Sequence, residues 1–122
     1  YLHDMGAALA SADLVLSRAG ASVLGEYPLF GLPAVLVPYP YAWRYQKVNA
    51  DYLVERGAAR LITDEQLPAQ LAPAITELFA QPEILDNMRA AMKSLARPDA
   101  SQRLAGLVRE LAERAPRKGI AR

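Results

Sequence analysis

The run Pro33-Ala34-Val35-Leu36-Val37-Pro38 restricts the fold more than any other feature of this sequence. Its apolar residues are continuous rather than alternating, so a strand built from them must be covered on both faces. Proline lacks an amide hydrogen and fixes its own φ, so the two prolines bound the strand to a few residues. A short strand buried on both sides belongs in a mainly parallel sheet with helices above and below, an α/β arrangement.

The flanking sequence supports that reading, because short apolar runs alternate with amphipathic stretches through the first two-thirds of the chain. The predicted order is helix, strand, helix, strand, helix, strand. Asp4 is placed to cap an Ala-rich helix running to Ala12, and Asp13-Leu14-Val15-Leu16-Ser17 reads as a brief strand. After the turn at 18–22, Val23, Leu24, Tyr27 and Phe30 recur at helical spacing until Gly31 and Pro33 stop the pattern; Pro28 should kink or shorten this helix. An aromatic loop at 39–45 precedes a helix carrying Asn49, Tyr52 and Leu53 to a stop at Gly57, and 59–63 is the third strand. Three further helical patterns follow, marked by Leu67, Leu71, Ile75 and Phe79, then by Ile84, Leu85, Met88, Met92 and Leu95, then by Leu104, Val108 and Leu111 with Asp99 as a cap.

Composition narrows the chemistry. With 122 residues the chain holds one domain or part of one, and its opening on Tyr1 rather than Met suggests a piece of something longer. The absence of cysteine excludes disulfides, thiolate metal sites and cysteine nucleophiles, and one histidine, His3, cannot build a multi-histidine metal site. A net charge of +1 from 14 basic and 13 acidic side chains argues against nucleic acid as a partner. Only the tail at 114–122 is locally basic, which suits a frayed terminus or a contact with anionic lipid. No apolar run reaches membrane-spanning length.

An open α/β sheet places its ligand in the loops beyond the carboxyl ends of its strands. Three segments fall there and could line one cleft. The turn at 17–22, with Arg18, Gly20, Ala21 and Ser22, lets the backbone approach a diphosphate or sugar, though a lone Gly between strand and helix is common for geometry alone. Glu26, one helical turn on, can accept two adjacent ribose hydroxyls; a solvated helix glutamate would look the same. In the segment 44–50, Gln46 offers the paired donor and acceptor that sugar hydroxyls require, and Asn49 is better suited to fastening its helix to a neighbouring loop. Tyr39, Tyr41, Trp43 and Tyr45 form either a sugar-facing aromatic edge or packing against the sheet.

Taken in order and spacing, the stretch Ala12-Asp13-Leu14-Val15-Leu16-Ser17-Arg18-Ala19-Gly20-Ala21-Ser22, then Glu26, then Gly31-Leu32-Pro33-Ala34-Val35-Leu36-Val37-Pro38, then Gln46 with Asn49-Ala50, resembles the MurG family of two-domain GT-B glycosyltransferases. The Ser-Arg-Ala-Gly-Ala form of the loop is the discriminating part, since glycolipid synthases tend toward Lys-Pro-Gly-Gly. The likeness runs from Tyr1 to about Leu111 and includes the opening Tyr-Leu-His-Asp-Met.

This resemblance implies the carboxyl-terminal, Rossmann-like donor-binding domain, incomplete on its amino-terminal side, with donor-site elements over 1–63, terminal helices over 64–115 and a tail over 116–122. It implies UDP-N-acetylglucosamine as donor, a lipid-linked N-acetylmuramyl pentapeptide as acceptor, no cofactor or metal, and a peripheral place on the cytoplasmic face of the bacterial membrane. Leu2 would meet the uracil edge through its backbone with Tyr1 beside the base. Ala21, Ser22, Val23, Leu24, Gly25 and Glu26 would meet sugar, diphosphate and ribose, and Gln46 the N-acetylglucosamine hydroxyls, with Arg18, Gly20, Tyr45 and Asn49 as further contacts. Val23 and Tyr45 depart from the family's more usual Thr and His or Gln. No catalytic residue is expected in this chain. The competing readings are another GT-B transferase, such as a glycolipid synthase, and a nucleotide-sugar-binding module without catalysis.

Overall fold

The structure is a computed structural model that describes residues 2–41 and 45–114. Three short strands, β1 (Val15–Ser17), β2 (Ala34–Leu36) and β3 (Ala59–Leu61), form one parallel sheet in the order β1-β2-β3. Ser17 lies opposite Leu36 and Leu36 opposite Leu61, so the three carboxyl ends are level. Each strand is shorter than the apolar run that predicted it. Ladder bonds nevertheless continue one residue further, from Val37 N–H to Ser17 O and from Ile62 N–H to Leu36 O.

The sheet is covered on both faces, as the central apolar run requires. Ala34, Val35 and Leu36 are all fully buried, and their alternation feeds two separate cores. Ala34 and Leu36 pack with Val23, Tyr27, Leu53 and Met92 on one face, while Val35 packs with Ile62, Leu78, Leu85 and Met88 on the other. Each large aliphatic side chain buried this way contributes about 1.5–3 kcal/mol. A parallel sheet with helices on both faces is the α/β architecture expected from the sequence.

Helix α1 (Met5–Ser11) begins where Asp4 accepts the Ala7 amide at 2.8 Å, the cap read from the sequence. The single helix expected over 21–30 is instead two pieces, a 3₁₀ segment (Ala21–Leu24) and α2 (Glu26–Phe30). In a continuous helix residue 28 would donate to the carbonyl of residue 24, and Pro28 has no hydrogen to give. As the third residue of α2 it needs none, so the break falls just upstream, at Gly25. Gly31, at φ +61°, closes α2 in the left-handed conformation.

Helix α3 (Tyr45–Val54) leads past Gly57, at φ +71°, into β3. The chain then forms α4 (Leu67–Ala80), α5 (Pro82–Ser94) and α6 (Ala100–Arg114). Helix α5 serves both cores, placing Leu85 and Met88 in one and Met92 in the other. Helix α6 buries nothing, and Leu104, Leu107, Val108 and Leu111 stand exposed along it. The basic tail beyond Arg114 lies outside the described residues.

Candidate functional site at the carboxyl edge of the sheet

Because the strands end level, the loops that follow them rise side by side. In the first, the Ser17 hydroxyl accepts from Tyr27 Oη at 2.9 Å and donates to Arg18 O at 2.9 Å, which fixes the exit of β1. Ala19 is fully buried, and its carbonyl accepts Asn49 Nδ2 at 3.0 Å. That bond fastens α3 to the first loop, the fastening role expected of Asn49. Gly20 has ordinary extended dihedrals, φ −64° and ψ 169°, and a Cβ added there would meet nothing within 4 Å. Neither backbone strain nor internal packing therefore calls for glycine at this position.

The 3₁₀ segment and the start of α2 present most of the residues expected to meet ligand. Ala21, Ser22, Leu24, Gly25 and Glu26 are exposed. Val23 departs from the expectation: its side chain is only 2 % exposed and belongs to the core, and its amide donates to Gly20 O at 3.2 Å. Any contact from Val23 to a ligand is thus confined to its backbone surface. Within the 3₁₀ segment Gly25 N–H is engaged, donating to Ser22 O. Glu26 opens α2, and its carboxylate makes no hydrogen bond or ion pair among the described residues.

From the second loop, the Tyr39 amide donates to Gln46 Oε1 at 2.8 Å. An amide hydrogen can bond only to the carbonyl oxygen of the side chain, so this contact fixes the orientation of the Gln46 amide. One of the two acceptor positions of Gln46 Oε1 is used inside the protein, which leaves the second and both hydrogens of the NH2 group open. Tyr45 is strongly exposed at the start of α3, as is Leu2 ahead of α1. Tyr39 and Tyr41 meet edge to face with ring centres 5.6 Å apart. Tyr1, Trp43 and Arg44 lie outside the described residues.

Arg18 turned out to be the most connected side chain of the edge. Its Nη1 donates to Val37 O at 3.3 Å and pairs with Asp64, while its guanidinium sits over the Tyr39 ring at 5.3 Å. These contacts join the exits of all three strands. A groove of about 870 Å³ runs between the second and third loops, lined by Tyr39, Tyr41, Lys47, Thr63, Asp64 and Glu65 among others. None of residues 21–26 lines it, so the three segments do not share that groove as expected. Sequence reasoning missed Asp64; the signal available was an acidic pair, Asp64-Glu65, placed directly after a strand.

The arrangement presents an open loop at Gly20, an exposed carboxylate on Glu26 and an oriented amide on Gln46, groups able to meet hydroxyls and a ligand lying close to the backbone. Among the described residues no group of three His, Asp or Glu side chains could hold a metal ion, and no helix is long and apolar enough to cross a membrane.

Comparison with known proteins agrees with this geometry. The family model described as glycosyltransferase family 28 C-terminal domain matches residues 1–104. Over 119 residues the chain is 43 % identical to the UDP-N-acetylglucosamine--N-acetylmuramyl-(pentapeptide) pyrophosphoryl-undecaprenol N-acetylglucosamine transferase of Desulforudis audaxviator, covering 96 % of this chain and 32 % of that protein. The equally named protein of Roseiflexus sp. is 49 % identical over 112 residues, 88 % of this chain and 25 % of its own length. Among solved structures, the MurG of Acinetobacter baumannii superposes with a TM-score of 0.80 at 29 % identity, over 90 % of this chain and 32 % of that one. The chain thus spans a quarter to a third of the length of these relatives. The resemblance carried by the loop residues is borne out, and the chain belongs to the glycosyltransferase family 28 C-terminal domain family.

Proposed function

We propose that this chain binds the donor in an inverting N-acetylglucosaminyltransferase that moves N-acetylglucosamine from its UDP conjugate to the C4 hydroxyl of a lipid-linked N-acetylmuramyl pentapeptide. The observation that carries the reading is the level carboxyl edge of the sheet, with Gly20 and Glu26 in the connection that follows β1 and Gln46 in the one that follows β2. The names of the relatives supply the substrates.

In this reading the Glu26 carboxylate accepts both ribose hydroxyls, a charge-assisted pair of bonds for which its exposed and unengaged position suits it. The open space at Gly20 admits the diphosphate against the backbone of residues 20–25, and this is the reason for a glycine that neither φ nor packing demands. The NH2 group of Gln46, oriented by Tyr39, donates to hexose hydroxyls. Leu2 meets the uracil through its backbone. Arg18, Tyr45 and Asn49 act around these contacts, Asn49 by holding α3 to the first loop.

The acceptor hydroxyl attacks the anomeric carbon from the face opposite the diphosphate; the glycosidic bond to UDP breaks as the new one forms, with inversion. Backbone amides near the departing diphosphate stabilise its growing charge. The acceptor and the base that takes its proton belong to the longer protein, which works peripherally at the cytoplasmic face of the bacterial membrane. Turnover is the test: the full-length protein carrying this sequence should release UDP from UDP-N-acetylglucosamine only when the lipid-linked acceptor is present. Release with diacylglycerol instead would favour a glycolipid synthase, and UDP-sugar binding with no turnover on either would leave a binding module.

A further inference from the structure

We infer that Asp64, on the loop after β3, is a positioning residue for sugar recognition, acting through Arg18 and Tyr39 on the amide of Gln46. The inference rests on the reading of Gln46 as the contact to the hexose and adds a residue that lies outside every ligand-facing segment.

The path is continuous and each step is a contact. Asp64 pairs with Arg18 Nη1, and the same nitrogen donates to Val37 O at 3.3 Å. The guanidinium lies over the Tyr39 ring at 5.3 Å, so Arg18 grips the second loop at its start and again two residues on. The Tyr39 amide then donates to Gln46 Oε1 at 2.8 Å, which decides which end of the Gln46 amide faces outward. Asn49, one turn along α3, is separately tied to Ala19 O, so the helix carrying Gln46 is fixed while the rotamer of Gln46 depends on where Tyr39 is held.

Stability does not explain the pair. Arg18 and Asp64 side chains are 47 % and 32 % exposed, and exposed ion pairs add little to folding free energy. Their placement is what matters: a carboxylate arriving from β3 reaches an arginine leaving β1 across β2, and all three strands end level. Removing the carboxylate frees the guanidinium to swing toward solvent or a phosphate, and the Tyr39 loop loses its anchor. The Gln46 amide then samples both orientations and more rotamers, and sugar recognition loses part of one hydrogen bond while the nucleotide contacts stay.

The experiment is a double-mutant cycle on the full-length protein, with UDP and UDP-N-acetylglucosamine titrated separately by calorimetry. Asp64→Ala should weaken UDP-N-acetylglucosamine by about three- to tenfold, the net value of one hydrogen bond, and leave UDP within about twofold. Asp64→Glu should recover most of the loss. In a Gln46→Ala background, Asp64→Ala should cost nothing further, because its effect passes through Gln46. Unchanged sugar binding in Asp64→Ala, with Gln46→Ala still impaired, overturns the inference and spares the assignment of Gln46. An equal loss for UDP, or a loss that persists in the Gln46→Ala background, also overturns it, since Asp64 would then act elsewhere. No effect of Gln46→Ala on either ligand removes the reading beneath it. A thermal melt of each variant separates these outcomes from misfolding.

Discussion

Two glycines at the ends of neighbouring segments are there for different reasons, and substitution separates them. Gly31 sits at φ +61°, and an added Cβ would lie 2.4 Å from Lys93 Cγ; the lysine stem can move, but the backbone angle cannot. Gly31→Ala should therefore destabilise the fold by more than about 1 kcal/mol in denaturant unfolding. Gly20 carries neither constraint, so Gly20→Ala should change stability by less than about 0.5 kcal/mol while weakening UDP binding in titration. A Gly20→Ala protein that binds UDP as tightly as wild type would count against close approach of the diphosphate. The site was legible in sequence where the residue type itself announces a role, as the Asn49 amide does in fastening its helix to Ala19, 30 positions away. It was not legible for Arg18 and Asp64, 46 positions apart, whose meeting depends on strand register that no local pattern encodes. Val23 carried two signals, an apolar place in a helical spacing and a place in a segment expected to face ligand, and burial settles its side chain on the first.

Among the elements, β2 was fully legible because its bounding prolines and unbroken apolar run admit one environment, and it is indeed buried on both faces. The connection after β1 was less so. Spacing of Val23, Tyr27 and Phe30 predicts a helix, yet Pro28 forbids the bond that would make it continuous, and the chain forms two shorter pieces. The tie between β3 and α4 is a two-point pair, Arg60 Nη1 and Nη2 to Glu77 Oε2 and Oε1 at 2.8 and 2.9 Å. The hydrogen bonds from Arg60, reinforced by its charge, hold the Glu77 carboxyl below its ordinary range. A carboxyl whose folded pKa is depressed contributes stability above its unfolded pKa and loses it as pH falls through the folded value. Glu77→Gln should then be less stable than wild type at neutral pH, with the gap closing as pH drops below the ordinary carboxylate value of about 4.3. Denaturant midpoints measured across pH check this; a gap that stays constant into acid would mean the pair contributes through packing alone.

For the molecule as a whole, the α/β class and parallel sheet followed from β2 and its flanks, whereas the assignment of helices to faces did not, because helical periodicity says that a face is buried and not against what. Helix α5, serving both cores, is the clearest case. The exposed stripe of Leu104, Leu107, Val108 and Leu111, together with the outer edges of β1 and β3, which are unpaired among the described residues, gives residues 1–122 on their own a tendency to associate. Sedimentation should show concentration-dependent species, reduced in a Leu104→Glu, Leu111→Glu variant; a sharp monomer at all concentrations would contradict this. On the proposed reading the carboxyl edge of this sheet binds a UDP-sugar with Glu26 on the ribose, and calorimetric titration of UDP into the full-length protein checks it. Glu26→Ala should weaken UDP by about 1.5–3 kcal/mol, roughly 10- to 150-fold, and 2′-deoxy-UDP should lose little further in the variant, because the carboxylate that distinguishes the two ligands is gone. If the variant binds UDP as tightly as wild type, Glu26 is a solvated helix residue and the donor site lies elsewhere.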